Sequence, residues 1–304
     1  MQTVGTDVPE AKVSRSFLFV PADSERKLKK SLESPADALI LDLEDSVAAS
    51  ERGRARSLAV EYLRDRGDHR VWVRINPLNS QDALVDLREI VPAAPYGIVL
   101  PKACGVSDVV HLDKLLGVLE QEQGIDEGSI HILPIATESP KALFHMHEYA
   151  SSSQRLAALA WGAEDLSATL GASANRDEAG CWLPPYELAR SLCLFAAAAA
   201  EVAAVDTVYA DFSDLEGLEL YASNARRDGF SGMLAIHPAQ VSVINEAFTP
   251  AESALIRARR IVALFADNPG AGVLGMDGEM LDRPHLIQAQ KILAMAGEAT
   301  NVAN

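Results

Sequence analysis

Leu159-Ala160-Trp161-Gly162-Ala163-Glu164-Asp165-Leu166-Ser167-Ala168-Thr169-Leu170-Gly171 is the stretch on which the fold is decided. An apolar run from Leu156 to Trp161 reads as a buried strand, Gly162 breaks it, two carboxylates follow, and Leu166 and Leu170 return at helical spacing. Glu164 and Asp165 thus stand at the C-terminal end of a strand. In parallel α/β proteins this is the edge where ligands and metals bind, because loops there can be reshaped without disturbing the core. Adjacent acids repel, so the pair points to a nearby cation or to one outward-facing acid. Asp165 as a plain helix cap is the competing reading.

The same unit recurs on both sides of this stretch. Arg15 to Pro21 is an apolar run closed by proline, and Asp23 or Ser24 then caps a basic helix with Arg26, Lys27, Lys29 and Lys30. Ala36 to Asp45 is a strand ending in acids, followed by a helix from about Ser50 to Arg66; Arg70 to Pro77 is the third strand, with a helix through Leu84 and Leu87. Tyr96 to Lys102, Ser129 to Ala136, Asp206 to Asp211 and Gly232 to Pro238 read as further strands. The helices between them are expected at Val106 to Gln123, through Leu143 and Met146, at Tyr186 to Ala203 and at Leu215 to Asp228, with Val241 to Ala247 closing the series. The alanine run Ala196 to Ala200 reads as close helix packing.

Eight strand-helix units with apolar runs, rather than alternation, predict a parallel (β/α)8 TIM barrel over residues 15–248. A doubly wound sheet also alternates strands and helices, but no G-x-G-x-x-G follows the first strand. Residues 1–14 read as a disordered leader. Residues 249–304 read as a helical C-terminal extension, packing on the barrel or on a neighbouring subunit, with helices at Glu252 to Ala266 and Pro284 to Ala296.

Composition narrows the function. The formal net charge of -16 argues against nucleic acid and anionic membrane, which need a basic surface. A phosphorylated ligand must then meet a local basic cluster, and Arg26 to Lys30 is the most evident one, although such a run is more often a solvated helix face. Cys104, Cys181 and Cys193 form no CxxC pair, so neither a disulfide framework nor a zinc site is indicated, and a reducing cytoplasm fits. No apolar run approaches the roughly 20 residues of a membrane span.

If these strands are right, their C-terminal ends bring together Asp42, Glu44, Asp45, Arg74, Asn76, Lys102, Glu138, Glu164, Asp165, Asp211 and His237. Carboxylates gathered around one arginine form a site in which a divalent metal holds a small anion whose carboxylate pairs with Arg74. Oxygen ligands without a His or Cys partner favour Mg²⁺ or Mn²⁺ over zinc. Taken singly, each residue also has a plainer reading: Asp42 and Asp45 as caps or rim ion pairs, Lys102 as an acid's partner, His237 as a turn residue.

Arg15-Ser16-x-Leu18-Phe19-Val20-Pro21, Ile40-Leu41-Asp42-Leu43-Glu44-Asp45-Ser46-Val47, Val73-Arg74-Ile75-Asn76-Pro77, Leu100-Pro101-Lys102, Gly162-Ala163-Glu164-Asp165-Leu166, Asp206-Thr207-Val208-Tyr209-x-Asp211-Phe212 and Ala235-Ile236-His237-Pro238-x-Gln240 together resemble the citrate lyase β-subunit-like proteins. That group includes malyl-CoA and citramalyl-CoA lyases, within the wider HpcH/HpaI aldolase family, and the resemblance spans residues 15 to 296. It implies a Mg²⁺-dependent barrel lyase that cleaves or forms a carbon-carbon bond between an acyl-CoA and a 2-oxo acid. It further implies Glu138 and Asp165 as metal ligands and Arg74 as the binder of the substrate carboxylate, beside Asp42. Arg15, Arg26 and Lys30 would lie near the CoA phosphates, and His237-Pro238 near the pantetheine or adenine. Asp282 would be the acid-base carboxylate, in a segment that family members swing over a neighbouring subunit, which implies a homo-oligomer, trimeric or larger. Two positions depart from the family pattern. Its usual Ile-Glu-Thr is Ile135-Ala136-Thr137-Glu138 here, carrying the metal role to Glu138 after a small shift, and Ala22 replaces a glycine.

Two other functions remain open on sequence. One is a metal-dependent aldolase on free 2-oxo acids, which would not need the basic helix. The other is a citrate-lyase-like subunit that depends on an acyl-carrier partner, or a protein that binds CoA esters without catalysis.

Overall fold

The computed structural model describes residues 14–298, so the expected leader lies outside the described residues except for Ser14. The described chain divides into two units, one of Ser14–Glu246 and one beginning at Ala247.

The first unit alternates strand and helix. In order it contains β1 (Ser16–Pro21), α1 (Glu25–Ser31), β2 (Ala38–Asp42), α2 (Arg52–Arg64), β3 (Arg70–Arg74), α3 (Gln81–Ile90), β4 (Gly97–Leu100) and α4 (Val106–Gln123). It continues with β5 (His131–Pro134), α5 (Pro140–Leu143), β6 (Ala158–Ala160), α6 (Glu164–Leu170), α7 (Pro184–Ala199), β7 (Ala203–Asp206), α8 (Leu215–Asp228), β8 (Gly232–Ala235) and α9 (Pro238–Phe248). The strands form one parallel sheet in the order β5-β4-β3-β2-β1-β8-β7-β6. Parallel bridges Ile132↔Leu156 and Ile135↔Ala160 join its two ends, with the amide of Ala136 donating to the carbonyl of Ala160 at 2.8 Å. The ring closes, and the fold is a TIM barrel.

Its interior is built by the two-residue period of each strand. Phe17, Ile40, Trp72, Val99, Leu133, Ala160, Val205 and Leu234 belong to one buried cluster. Gly97 is required there, since a Cβ on it would stand 2.3 Å from the Trp72 ring. Helix ends follow local chemistry: Ser80 accepts from the Ala83 amide to start α3, Asp214 accepts from the Gly217 amide to start α8, and Gly124 and Gly229 close α4 and α8 at φ +66° and +116°.

Several expectations shift. Ser24 occupies the N-cap of α1, but its side chain makes no capping bond. The helix expected through Leu143 and Met146 is only the single turn of α5 followed by a 3-10 segment, Met146–Ser151. The alanine-rich helix ends at Ala199, and β7 begins at Ala203, so the seventh strand ends where the sequence suggested that it starts. The reason is that Asp206 is a fully buried strand residue. It accepts from Trp161 Nε1 at 2.6 Å, the Tyr221 hydroxyl at 3.0 Å and both Nε and Nη2 of Arg190.

The second unit holds α10 (Glu252–Ala266), a hairpin of β9 (Val273–Met276) and β10 (Glu279–Asp282), and α11 (Arg283–Met295). Leu255, Ala258, Ile261 and Phe265 of α10 pack with Met276, Leu281, Leu286 and Leu293. The extension is therefore helical with a two-stranded hairpin between its helices. No helix among the described residues is long and apolar enough to cross a membrane.

Candidate active site

Register builds the centre of the site. Pro21 pairs with Asp42, and Asp42 with Arg74, so the last residues of β1, β2 and β3 lie side by side at the barrel mouth. Arg74 Nε and Nη2 each donate to a different oxygen of Asp42 at 2.7 Å. The amides of Glu44 and Ser46 complete the coordination of that carboxylate. Burial opposes ionisation of Asp42, but the Arg74 fork and these amides outweigh it and hold its pKa below the usual carboxylate range. Arg74 Nη1 makes no hydrogen bond to Asp42; it lies 3.2 Å from Glu44 Oε2, and the guanidinium stacks 4.6 Å from the Phe19 ring centre.

Lys102 follows β4 with φ +52°, a left-handed conformation rare outside glycine. This turn aims its amide at Glu138 Oε2, while Nζ reaches Glu44 Oε1, Asp45 Oδ2 at 3.1 Å and Asp165 Oδ1 at 3.3 Å. Glu138 is 4% exposed, and among the described residues its Oε1 accepts no hydrogen bond. Burial, with Asp165 and Glu44 nearby, pushes its carboxyl up to about 8 despite the Lys102 amide. Asp165 is the second residue of α6, whose N-cap is Ala163, so the capping reading of Asp165 does not hold.

Arg74, Asp42, Glu138, Glu164 and Asp165 line one cavity of about 300 Å³ at the mouth, walled on its apolar side by Phe19, Ile135, Val208 and Ile236. A buried carboxylate with one uncommitted oxygen, facing a second carboxylate, is a donor set that fits a hard divalent ion; waters and ligand atoms would supply the remaining positions. No three of His, Cys, Asp and Glu cluster for a metal among the described residues.

A neighbouring cavity of about 580 Å³ shares Phe19, Pro21, Ile236 and thus a wall with the first. Arg26, Lys27, Lys30, His237 and Pro238 line it. Arg26 and Lys30 are one helical turn apart, and neither they nor Lys27 form an ion pair among the described residues. Gln240, fully buried, accepts from the Ile236 and His237 amides and donates to the Tyr209 carbonyl, which fixes the turn that presents His237. The His237 ring stacks on Phe212 with centres 4.9 Å apart.

The structure thus brings Arg74, Asp42, Glu138 and Asp165 to one cavity and Arg26, Lys30, His237 and Pro238 to the next. Arg15 is not among them. It precedes β1, at the opposite end of the barrel, and its guanidinium forks onto Asp37 at 2.7 and 2.8 Å. Asp211 is also away from a strand end; it sits in the loop after β7, held by the Ser213 amide and hydroxyl. Asp282 lies in the second unit, at the start of α11, with its Oδ1 2.5 Å from His285 Nδ1. Ile135, Trp161, Thr207 and Val208 were not singled out by their chemistry. The three-residue displacement of β7 hid the last two, and the apolar side chains carry no signal apart from strand period.

A closed parallel barrel with acids, an arginine and a basic cleft at its C-terminal mouth defines an enzyme that handles small anionic substrates. The chain belongs to the HpcH/HpaI aldolase/citrate lyase family, whose match covers residues 15–238. The citrate lyase subunit beta of Haemophilus influenzae is 34% identical over 289 residues, 94% of this chain and 97% of that protein. The L-malyl-CoA/beta-methylmalyl-CoA lyase of Cereibacter sphaeroides is 32% identical over 307 residues, 95% and 96% of the two chains. Among solved structures, protein CitE from Mycobacterium tuberculosis in complex with magnesium, acetoacetate and coenzyme A matches with a TM-score of 0.75 at 33% identity, covering 95% of this chain and all of that one. Family and site together make this chain a carbon-carbon lyase.

Proposed function

We propose that the protein is a Mg²⁺-dependent lyase that cleaves, or forms, a 3-hydroxyacyl-CoA thioester of the malyl, citramalyl or citryl type, giving an acyl-CoA and a 2-oxo acid. The observation that carries this reading is the pairing of cavities: a carboxylate pair beside an arginine, sharing a wall with a cleft lined by unpaired cations. The likeness to a magnesium- and CoA-bound structure supports it.

Glu138, through its uncommitted Oε1, and Asp165 would hold the ion, with Mn²⁺ as a substitute. When bound, it supplies Lewis acidity to the substrate's hydroxyl and carboxylate. Arg74, fixed by Asp42, orients the carboxylate of the 2-oxo acid portion with its Nη1 edge, which is not bonded to Asp42 and has Glu44 Oε2 at 3.2 Å as its neighbour. Arg26 and Lys30 take the CoA phosphates, and the His237-Pro238 turn bounds the pantetheine or adenine. Asp282 delivers a proton to the carbon released in cleavage, or removes one in condensation, within a homo-oligomer. Three free thiols support a cytoplasmic setting.

A second reading, in which an acyl-carrier partner rather than CoA presents the thioester, is supported by the similarity to citrate lyase subunits. The test is release of 2-oxo acid from a panel of 3-hydroxydicarboxylyl-CoA esters, with and without Mg²⁺. Metal-dependent release is expected from at least one. Cleavage of free hydroxy-oxo acids alone would shift the protein to the aldolase reading, and turnover only with an acyl-carrier protein would favour the subunit.

A further inference from the structure

We propose that Lys102 is the resident counter-cation of the metal-free site, and that its ammonium leaves Asp165 for Glu44 and Asp45 when the divalent ion binds. This rests on Glu138 and Asp165 being the metal carboxylates. Lys102 touches both: its amide holds Glu138 Oε2, and its Nζ stands 3.3 Å from Asp165 Oδ1. No other cation reaches Asp165 among the described residues. The same Nζ has two anchors on its far side, Glu44 and Asp45, so it can give up Asp165 and remain paired.

The backbone supports a dedicated role. Lys102 holds a left-handed φ of +52°, and this conformation lets one residue direct an amide to Glu138 and an ammonium to the acids beyond it. Holding Glu138 through Oε2 leaves Oε1 without a hydrogen bond among the described residues, on a side chain that lines the cavity. Lys102 is therefore a positioning residue with two opposed effects. It keeps four carboxylates, Glu44, Asp45, Glu138 and Asp165, together when no ion is present, and it competes with the ion for Asp165. Its presence weakens metal binding and stabilises the empty site.

A purely structural lysine behaves differently: removing it would loosen the site and weaken metal binding. The experiment titrates metal-free wild type, Lys102→Met and Lys102→Gly with Mn²⁺ and follows the free-ion signal by EPR; the glycine variant relieves the backbone and guards against a folding defect of the first. Both neutral variants are expected to bind Mn²⁺ about tenfold more tightly, while Lys102→Arg does not. Their metal-free melting temperatures fall, and the rise on adding Mn²⁺ is larger than in wild type. Affinities of both neutral variants within about twofold of wild type, or weaker, would overturn the proposal while leaving the metal site standing. Absence of Mn²⁺ binding by wild type would remove the metal site itself, and this proposal with it.

Discussion

Gly162 makes the space in which Glu138 sits: a Cβ built on Gly162 would stand 3.0 Å from Cγ of Glu138 and 3.2 Å from Cγ2 of Ile135. The φ of Gly162 is not positive, so alanine meets no backbone strain there. Its cost is tight contact with the Glu138 and Ile135 side chains. Gly162→Ala is therefore expected to lower Mn²⁺ affinity about tenfold while destabilising the fold by about 1–3 kcal/mol, the usual cost of overpacking. Titration by EPR and thermal melting by circular dichroism check the two halves; unchanged affinity would mean that Glu138 has room to move.

The Asp42-Arg74 fork separates orientation from charge. Asp42→Asn keeps the shape and one acceptor but removes the anion that fixes the guanidinium, leaving Glu44, 3.2 Å from Nη1, to pull Arg74 off the cavity. Turnover of a CoA ester is expected to fall by roughly 10²- to 10³-fold in kcat/KM, the scale of losing an oriented charged contact, with stability lowered by about 1–3 kcal/mol. Steady-state kinetics and urea unfolding test this. A loss confined to stability would make Asp42 a structural residue only.

The site was legible wherever a charge ended an apolar run. Asp42 and Arg74 end buried strands and Glu138 and Asp165 follow them, and the parallel register that sets Asp42 beside Arg74 is a consequence of the barrel, not of any local signal. Asp206 broke that rule in the opposite sense: a carboxylate inside the barrel wall, matched by Trp161, Arg190 and Tyr221 from elements far apart in sequence, was read as the start of a strand when it is the end. Arg15 was misplaced for a related reason, because a motif records adjacency along the chain but not which end of a strand a side chain occupies. The ion pair with Asp37 that holds it joins two strand beginnings. Lys102 was visible as a charge at a strand end, but its left-handed backbone and its threefold grip on acids arise only in the folded chain.

The basic cleft predicts a division of kinetic effects. Arg26 and Lys30 line the larger cavity, apart from the Arg74 site, so on the proposed function they would meet phosphate equally in ground and transition states. Arg26→Ala and Lys30→Ala should each raise KM for a CoA ester by about tenfold with kcat nearly unchanged, and the effect should shrink at high salt. The same variants should handle a truncated, phosphate-free thioester as wild type does. A drop in kcat with that short substrate would place these residues in the chemistry instead.

Far from the mouth, the Glu120-Arg155 pair makes a contribution to stability that is lost in acid. Arg155 donates from Nη1 and Nη2 to the two oxygens of Glu120 at 2.7 and 2.6 Å, and the amides of Gly128 and Ile130 add two bonds. Both side chains are buried. Burial disfavours the Glu120 anion, but the Arg155 fork and the two amides outweigh it, and the pKa lies below its usual value. The folded pKa is thus below the unfolded one, about 4.3, so this stabilisation is complete above the unfolded pKa and is lost as pH falls through the folded pKa. Glu120→Gln leaves the Arg155 charge with Asp113 alone, 2.6 Å from Nε, and should cost about 3 kcal/mol at pH 7. Because the wild type loses the same interaction in acid, the gap between the two proteins should narrow as pH falls below about 4.3 and through the lower folded pKa. Urea unfolding of both across that range is the measurement, and a gap that stays constant with pH would show that hydrogen bonding and packing, rather than the ion pair, carry the contribution of Glu120.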